Sequence, residues 1–272
     1  MMAFEKPYMV MGIVNVTADS FYDGGRCVTV DAAVEYALRL IGDGADVIDI
    51  GGASSRPGAE LLPPEEEAAR VVPVIGALAA RGTGVPISVD TVWSAVAEAA
   101  LAAGASWVND ISAGRLDSGM AALAARAGCV VVLTHSRGTP KTMQDDPRYG
   151  IDVAGEVAGE LAEAVEAFRR AGVNVTDNIV LDPGFGFAKS AGHNIALLRG
   201  IEKISRAGCP VMAGLSHKSF IGAITGRGAG ERLPGTLAAT AAAYAGGVRI
   251  FRVHDVKETV DFLKVLTVVR DE

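Results

Sequence analysis

One phrase recurs along the chain and narrows its fold more than any other feature. A helical run is followed by a glycine, then by a short β-branched strand that ends in polar residues. Gly44 leads into Val47-Ile48-Asp49-Ile50, and Gly104 into Trp107-Val108-Asn109-Asp110. Gly128 leads into Val130-Val131-Val132-Leu133, and Gly172, after a linker, into Ile179-Val180-Leu181-Asp182. Gly208 leads into Val211-Met212-Ala213, and Gly246-Gly247 into Val248-Arg249-Ile250-Phe251. Each joint sits where a helix C-terminus needs a left-handed residue. Continuous apolar strands suit a parallel sheet buried on both faces.

Two further strands, Tyr8–Val14 and Val85–Val89, bring the set to eight. Helical patterns fall between them, at Val30–Gly42, Pro64–Arg81, Ser94–Ala103 and Gly155–Ala171. Eight units of about 34 residues fit an α/β fold of the (β/α)8 TIM-barrel class, one domain over residues 1–272. A doubly wound sheet is the structural alternative, but no Gly-rich nucleotide fingerprint follows an early strand.

Composition sets limits on partners. The chain is 50% hydrophobic but only 6% aromatic, so its core is aliphatic. The net charge of -7 and the lack of any Lys/Arg run argue against nucleic acid. The Ala-rich stretch Leu237–Val248 is too short to span a bilayer, so no membrane association is expected. Cys27, Cys129 and Cys209 are scattered and odd in number, which fits a reducing cytoplasm with buried thiols. The N-terminus carries no recognisable targeting signal.

A barrel of this kind places its ligand-handling side chains where strands end. Here every predicted strand ends in such residues, among them Asn15, the Gly51–Gly58 loop, Asp90, Asn109, His135, Asp182, Lys218 and Arg252. Asp90, Asn109 and Asp182 are short, rigid groups that could read the donor–acceptor edge of a nitrogen heterocycle, because a buried carboxylate needs a partner. Arg56, Lys218, Arg252 and His254, with Asn15, suit a phosphate or diphosphate, with or without magnesium. The bland readings are a structural ion pair of Arg252 or His254 with Asp255 or Glu258, and a solvated surface Lys218. His193 and His217 show no obvious partner and read as structural. No P-loop, H-E-x-x-H or G-x-S-x-G motif is present. The Gly-rich Gly222–Gly230 segment reads as a loop after a short helix.

These blocks, in order, resemble the dihydropteroate synthase family from Met9 to about Phe262. They are Met11–Phe21, Asp49–Gly58, Ser88–Thr91, Val108–Ser112, His135–Pro140, Asp182–Lys189, Gly214–Gly222 and Arg252–Asp255. The resemblance implies condensation of 6-hydroxymethyl-7,8-dihydropterin diphosphate with 4-aminobenzoate, giving 7,8-dihydropteroate and diphosphate. It implies a catalytic set of Asp90, Asp182, Lys218 and Arg252, with pterin held by Asp90, Asn109, Asp182 and Lys218. Asn15, Arg252 and His254 would hold diphosphate, with Asn15 also a ligand of Mg2+. Ser55, Arg56, Phe187, Lys218 and Ser219 would frame the aminobenzoate. A homodimer is implied too. The chain departs from the family pattern at Ala18, Ala53, Ser55, Ser136, Ala188 and His217. Two other readings are a pterin-binding methyltransferase of corrinoid systems, which releases no diphosphate, and a non-catalytic pterin-binding paralogue.

Overall fold

The computed structural model describes residues 6–17, 29–54, 56 and 58–270. Among them, eight parallel strands alternate with helices. The first half runs β1 (Met9–Asn15), α1 (Val30–Gly42), β2 (Val47–Gly51), α2 (Pro64–Ala79), β3 (Ile87–Asp90), α3 (Ser94–Ala102), β4 (Trp107–Asp110) and α4 (Gly119–Ala127). The second half runs β5 (Val130–Thr134), α5 (Val153–Arg170), α6 (Val175–Asn178), β6 (Ile179–Asp182), α7 (Ala191–Arg199) and α8 (Glu202–Ser205). It continues with β7 (Met212–Ala213), α9 (Ser219–Thr225), a 3-10 turn at Ala229–Glu231, α10 (Leu233–Ala245), β8 (Ile250–Val253) and α11 (Val256–Arg270).

The strand order is β6-β5-β4-β3-β2-β1-β8-β7. A single parallel bridge between Leu181 and Val211 brings the two end strands together. The ring is therefore the expected barrel, whereas a doubly wound sheet would leave those edges apart. β7 is shorter than the sequence suggested. Pro210 has no N–H to donate to the ladder, and serves it only by accepting from the Leu181 N–H at 2.9 Å.

The glycine joints explain how the chain turns from helix to strand. Gly44, Gly104, Gly128, Gly172, Gly208 and Gly247 all adopt positive φ. At Gly128 (φ 62°, ψ 23°) the backbone N–H closes α4 on the Ala124 carbonyl. Helix starts use local caps: the Thr29 hydroxyl accepts from the Ala32 N–H of α1. Three Glu residues occupy the first turn of α2, where the helix dipole favours negative charge.

Side chains alternate across each strand, so the barrel has two cores. Met11, Val47, Trp107, Val132, Val180, Met212 and Ile250 point inward and plug the barrel. Val10, Ile48, Ile50, Val108, Val131, Leu133, Leu181 and Phe251 point outward under the helices. This double burial is why the strands read as continuous apolar runs. Two residues after an inward residue the strand points inward again. That step takes Val47 to Asp49, Trp107 to Asn109, Val132 to Thr134, Val180 to Asp182 and Ile250 to Arg252. A polar layer thus lies directly on the apolar plug, at the C-terminal mouth.

Cys129 and Cys209 are free and buried. Cys27 and the Ala18 departure lie outside the described residues. No helix among the described residues is long and apolar enough to cross a membrane.

Candidate active site

The floor of the mouth is a charge cluster drawn from strands far apart in sequence. Arg252 donates from Nε to Asp49 Oδ2 at 2.6 Å and from Nη2 to Asp90 Oδ2 at 2.7 Å. Asn109 donates from Nδ2 to the same Asp49 oxygen at 3.0 Å. Asp49 is completely buried. Register places these groups side by side, with Asp90 level with Asn109 on β4 and with Gly51 on β2. Burial pushes the Asp90 carboxyl up, and Arg252 pulls it back. Desolvation opposes the Arg252 charge, but Asp49 and Asp90 hold the guanidinium protonated.

Asp182, at the end of β6, accepts from the Gly184 N–H at 2.7 Å. Burial raises its pKa, against the pull of that hydrogen bond and of Lys218. Lys218 is half-buried rather than a solvated surface lysine. Burial lowers its pKa to about 8, with Asp182 acting in the opposite direction. Its Nζ stands 4.7 Å from the centre of the Phe187 ring.

Three carboxylates (Asp49, Asp90, Asp182) therefore face two cations (Arg252, Lys218). The carboxyl groups of this floor thus outnumber the two cationic side chains set against them. Asn109 Oδ1 and Asp49 Oδ1 are buried acceptors with no hydrogen-bond partner among the described residues. Such acceptors are costly unless a donor-rich ligand meets them. The arrangement fits a planar heterocycle that presents N–H groups and develops positive charge.

The rim holds the remaining expected residues. Asn15 ends β1 and is half-buried, Phe187 is half-buried, and Arg56, Ser219 and His254 are exposed. Ser55 lies outside the described residues. His254 Nδ1 is 2.9 Å from Ser216 Oγ. Desolvation at the mouth, then the Arg252 charge, lower its pKa. The loop after β2 is tied to the β5 loop by the Gly58 N–H on the Pro140 carbonyl at 2.9 Å.

The alternative of an ion pair between Arg252 or His254 and Asp255 or Glu258 is not what forms: Arg252 turns into the barrel onto Asp49 and Asp90, and His254 stays at the rim beside Ser216. Asp255 instead pairs with His217, Nε2 to Oδ2 at 2.6 Å. His217, at φ 53°, also meets the Ala229 carbonyl through Nδ1 at 2.8 Å, so it is not partnerless. His193 closes a capping box with Ser190 and lies edge-on to Tyr149. Sequence reasoning passed over Asp49 as a site residue, although a lone carboxylate two residues after a plug residue was the available signal.

The loop after β6 is tightly seated. Gly184 has φ 68°, and a Cβ there would lie 1.9 Å from the His135 carbonyl oxygen. Gly184→Ala is expected to cost on the order of 3 kcal/mol, read as a lower Tm in a thermal melt. An unchanged melt would contradict this packing.

No group of three His, Cys, Asp or Glu among the described residues could hold an ion. Asn15 offers one amide oxygen at the mouth. That fits a magnesium ion that takes most of its ligands from phosphate and water.

The profile described as pterin binding enzyme matches residues 11–254. Dihydropteroate synthase of Neisseria meningitidis serogroup B is 46% identical over 267 residues, covering 96% of this chain and 92% of its own. The Xanthomonas albilineans dihydropteroate synthase structure with 4-aminobenzoic acid superposes with a TM-score of 0.89 at 45% identity. It covers 98% of this chain and 94% of its own. A structure of the same enzyme with 7,8-dihydropteroate gives 0.86 at 43% identity, covering 97% and 94%.

Proposed function

This chain belongs to the dihydropteroate synthase family of pterin binding enzymes, and we propose how its own side chains carry that family's reaction. It condenses 6-hydroxymethyl-7,8-dihydropterin diphosphate with 4-aminobenzoate, giving 7,8-dihydropteroate and diphosphate. The observation that carries the residue assignment is the acid-rich floor with its unmet acceptor, Asn109 Oδ1.

The pterin lies on that floor. Asp182 and Asp90 accept from its N–H groups, Asn109 Oδ1 takes another, and Lys218 lies alongside. The aminobenzoate amine forms a C–N bond at the pterin methylene as the C–O bond breaks. Diphosphate leaves with the bonding pair, and the amine gives up its proton to solvent. Positive character on the ring is met by Asp182 and Asp90, which lose little mobility because strands hold them. No enzyme nucleophile is needed, since the amine is one already.

His254 and Asn15 face the diphosphate at the rim, and Arg252 supports them from below. Asn15 would hold magnesium, whose chemistry is to neutralise charge on the leaving diphosphate. Arg56, Ser55, Phe187 and Ser219 frame the aminobenzoate. A homodimer is part of the proposal. It is supported by exposed Val265, Val268 and Val269 on α11, spaced to share one helix face. A cytoplasmic location is proposed from the free, buried thiols.

Lys218 gives the proposal a pH signature. Its charged form exists below about pH 8 and is lost above it. The kcat/KM profile is therefore expected to fall on the basic side near pH 8. Lys218→Arg, which stays protonated, should move that limb upward. A limb that Lys218→Arg leaves in place contradicts the role.

The function itself is tested by complementation. A bacterium lacking its own dihydropteroate synthase should regain growth without folate end products when given this chain. Failure of a well-expressed chain to restore growth contradicts the proposal.

A further inference from the structure

We propose that Lys189 is a positioning residue for the second substrate, holding the Gly184–Phe187 turn so that Phe187 stands under Lys218. The inference rests on Phe187 lying beside the aminobenzoate, as proposed above.

The turn needs an anchor. Gly184 and Gly186 have φ of 68° and 83°, and Ala188 has φ 48°, a left-handed state that costs a non-glycine residue about 1 kcal/mol or more. Such a turn persists only where its surroundings over-determine it.

Lys189 supplies that determination. It is only 3% exposed. Its Nζ donates to the Gly184 carbonyl at 3.1 Å and the Phe187 carbonyl at 3.1 Å, so it spans the turn from end to end. The third contact is His135 Nδ1 at 2.9 Å. His135 Nε2 faces Glu160 Oε2 at 3.0 Å, and a carboxylate only accepts. Nε2 therefore carries the ring proton, and Nδ1 is left to accept from Lys189. Glu160 is in turn held by Arg137 Nε at 3.0 Å. Each N–H of the ammonium thus has one acceptor. Burial pulls the Lys189 pKa to about 7, so the chain retains a group that is costly to bury.

The Asp182 backbone does not depend on this anchor, although the Asp182 carboxyl accepts from the Gly184 N–H at the start of the turn. Asp182 belongs to β6, and its carbonyl accepts from the His135 N–H at 2.8 Å. Phe187 lies beyond the strand. Its N–H reaches the Gly184 carbonyl at 3.1 Å, and its own carbonyl reaches Lys189. Loss of Lys189 should release Phe187 and leave Asp182 in place.

The test uses the full-length enzyme. Lys189→Met is expected to raise KM for 4-aminobenzoate about 10-fold or more. The Kd of the pterin diphosphate, titrated alone, should stay within about 2-fold. Phe187→Leu should raise the same KM, and the double variant should be no worse than the worse single one. If Lys189→Met does not fold, Lys189→Gln, which keeps part of the donor set, is measured and should give a smaller rise in that KM. An unchanged KM in the Lys189 variant, an equal weakening of both substrates, or additive effects in the double variant overturns the proposal. Should Phe187→Leu alone leave KM unchanged, the placement of the aminobenzoate fails instead, and the inference falls with it.

Discussion

Asp182→Asn is expected to cut kcat/KM by about 10³-fold or more while leaving the protein as stable as before, or more so. The loss follows from what the carboxylate offers. It is a buried acceptor at the end of β6, and a charged acceptor for ligand N–H groups is worth roughly 1.5–3 kcal/mol per bond. Two such bonds, with a donor now turned toward a donor, amount to about three decades. The stability half follows from the sign of its pKa shift. Burial raises the Asp182 pKa in the folded state, so the unfolded chain ionises first as pH rises above 4. At pH 7 the carboxylate therefore works against the fold. Asparagine removes that cost and keeps an oxygen for the Gly184 N–H. Nor does the change strand a cation, because Lys218, already lowered to about 8, can release its proton. Steady-state kinetics, with calorimetric titration of the pterin diphosphate, read the first half, and a thermal melt reads the second. Binding near wild type would remove Asp182 from the site.

Arg252→Met should behave in the opposite way, losing stability together with activity. Asp49 and Asp90 both bond to this guanidinium, and Asp49 is fully buried. Breaking a buried ion pair by removing one partner costs about 3–5 kcal/mol, because the other charge stays behind. In a domain of this size that lowers Tm by about 10 °C. The pH dependence is expected to change too. Asp90 is already pushed up by burial, and loss of Arg252 pushes it further. A carboxyl raised above its unfolded pKa contributes stability at low pH that is lost as pH rises. The variant should thus be relatively most stable near pH 4–5 and weaken toward neutrality. Adding Asp49→Asn should recover part of the loss, since the two sites share one interaction. A variant that kept its Tm and lost only diphosphate handling would restore the simpler reading of Arg252 as an anion-binding group.

That contrast shows where the sequence was readable. The barrel was legible because its glycines and its continuously apolar strands are both local signals. Asp90, Asn109 and Asp182 were legible because each follows an apolar run at a strand end. Asp49 was not, since it sits inside the apolar run of β2 and bonds to a residue 203 positions away. Arg252 was legible as a cation at a strand end, but nothing in its neighbourhood of the chain reveals the carboxylates it bonds to. The same reason hid the pairing of His217 with Asp255, 38 residues apart, and of Lys189 with His135, 54 residues apart. Pairings across the barrel depend on strand order and register, which the local pattern does not encode.

The central claim is that this mouth couples a pterin methylene to an arylamine with loss of diphosphate. The most direct measurement follows both products when the purified protein is given the pterin diphosphate, 4-aminobenzoate and magnesium. Dihydropteroate and diphosphate should appear one for one, and neither should form without the aminobenzoate. Pterin diphosphate that binds and is never turned over would contradict the account.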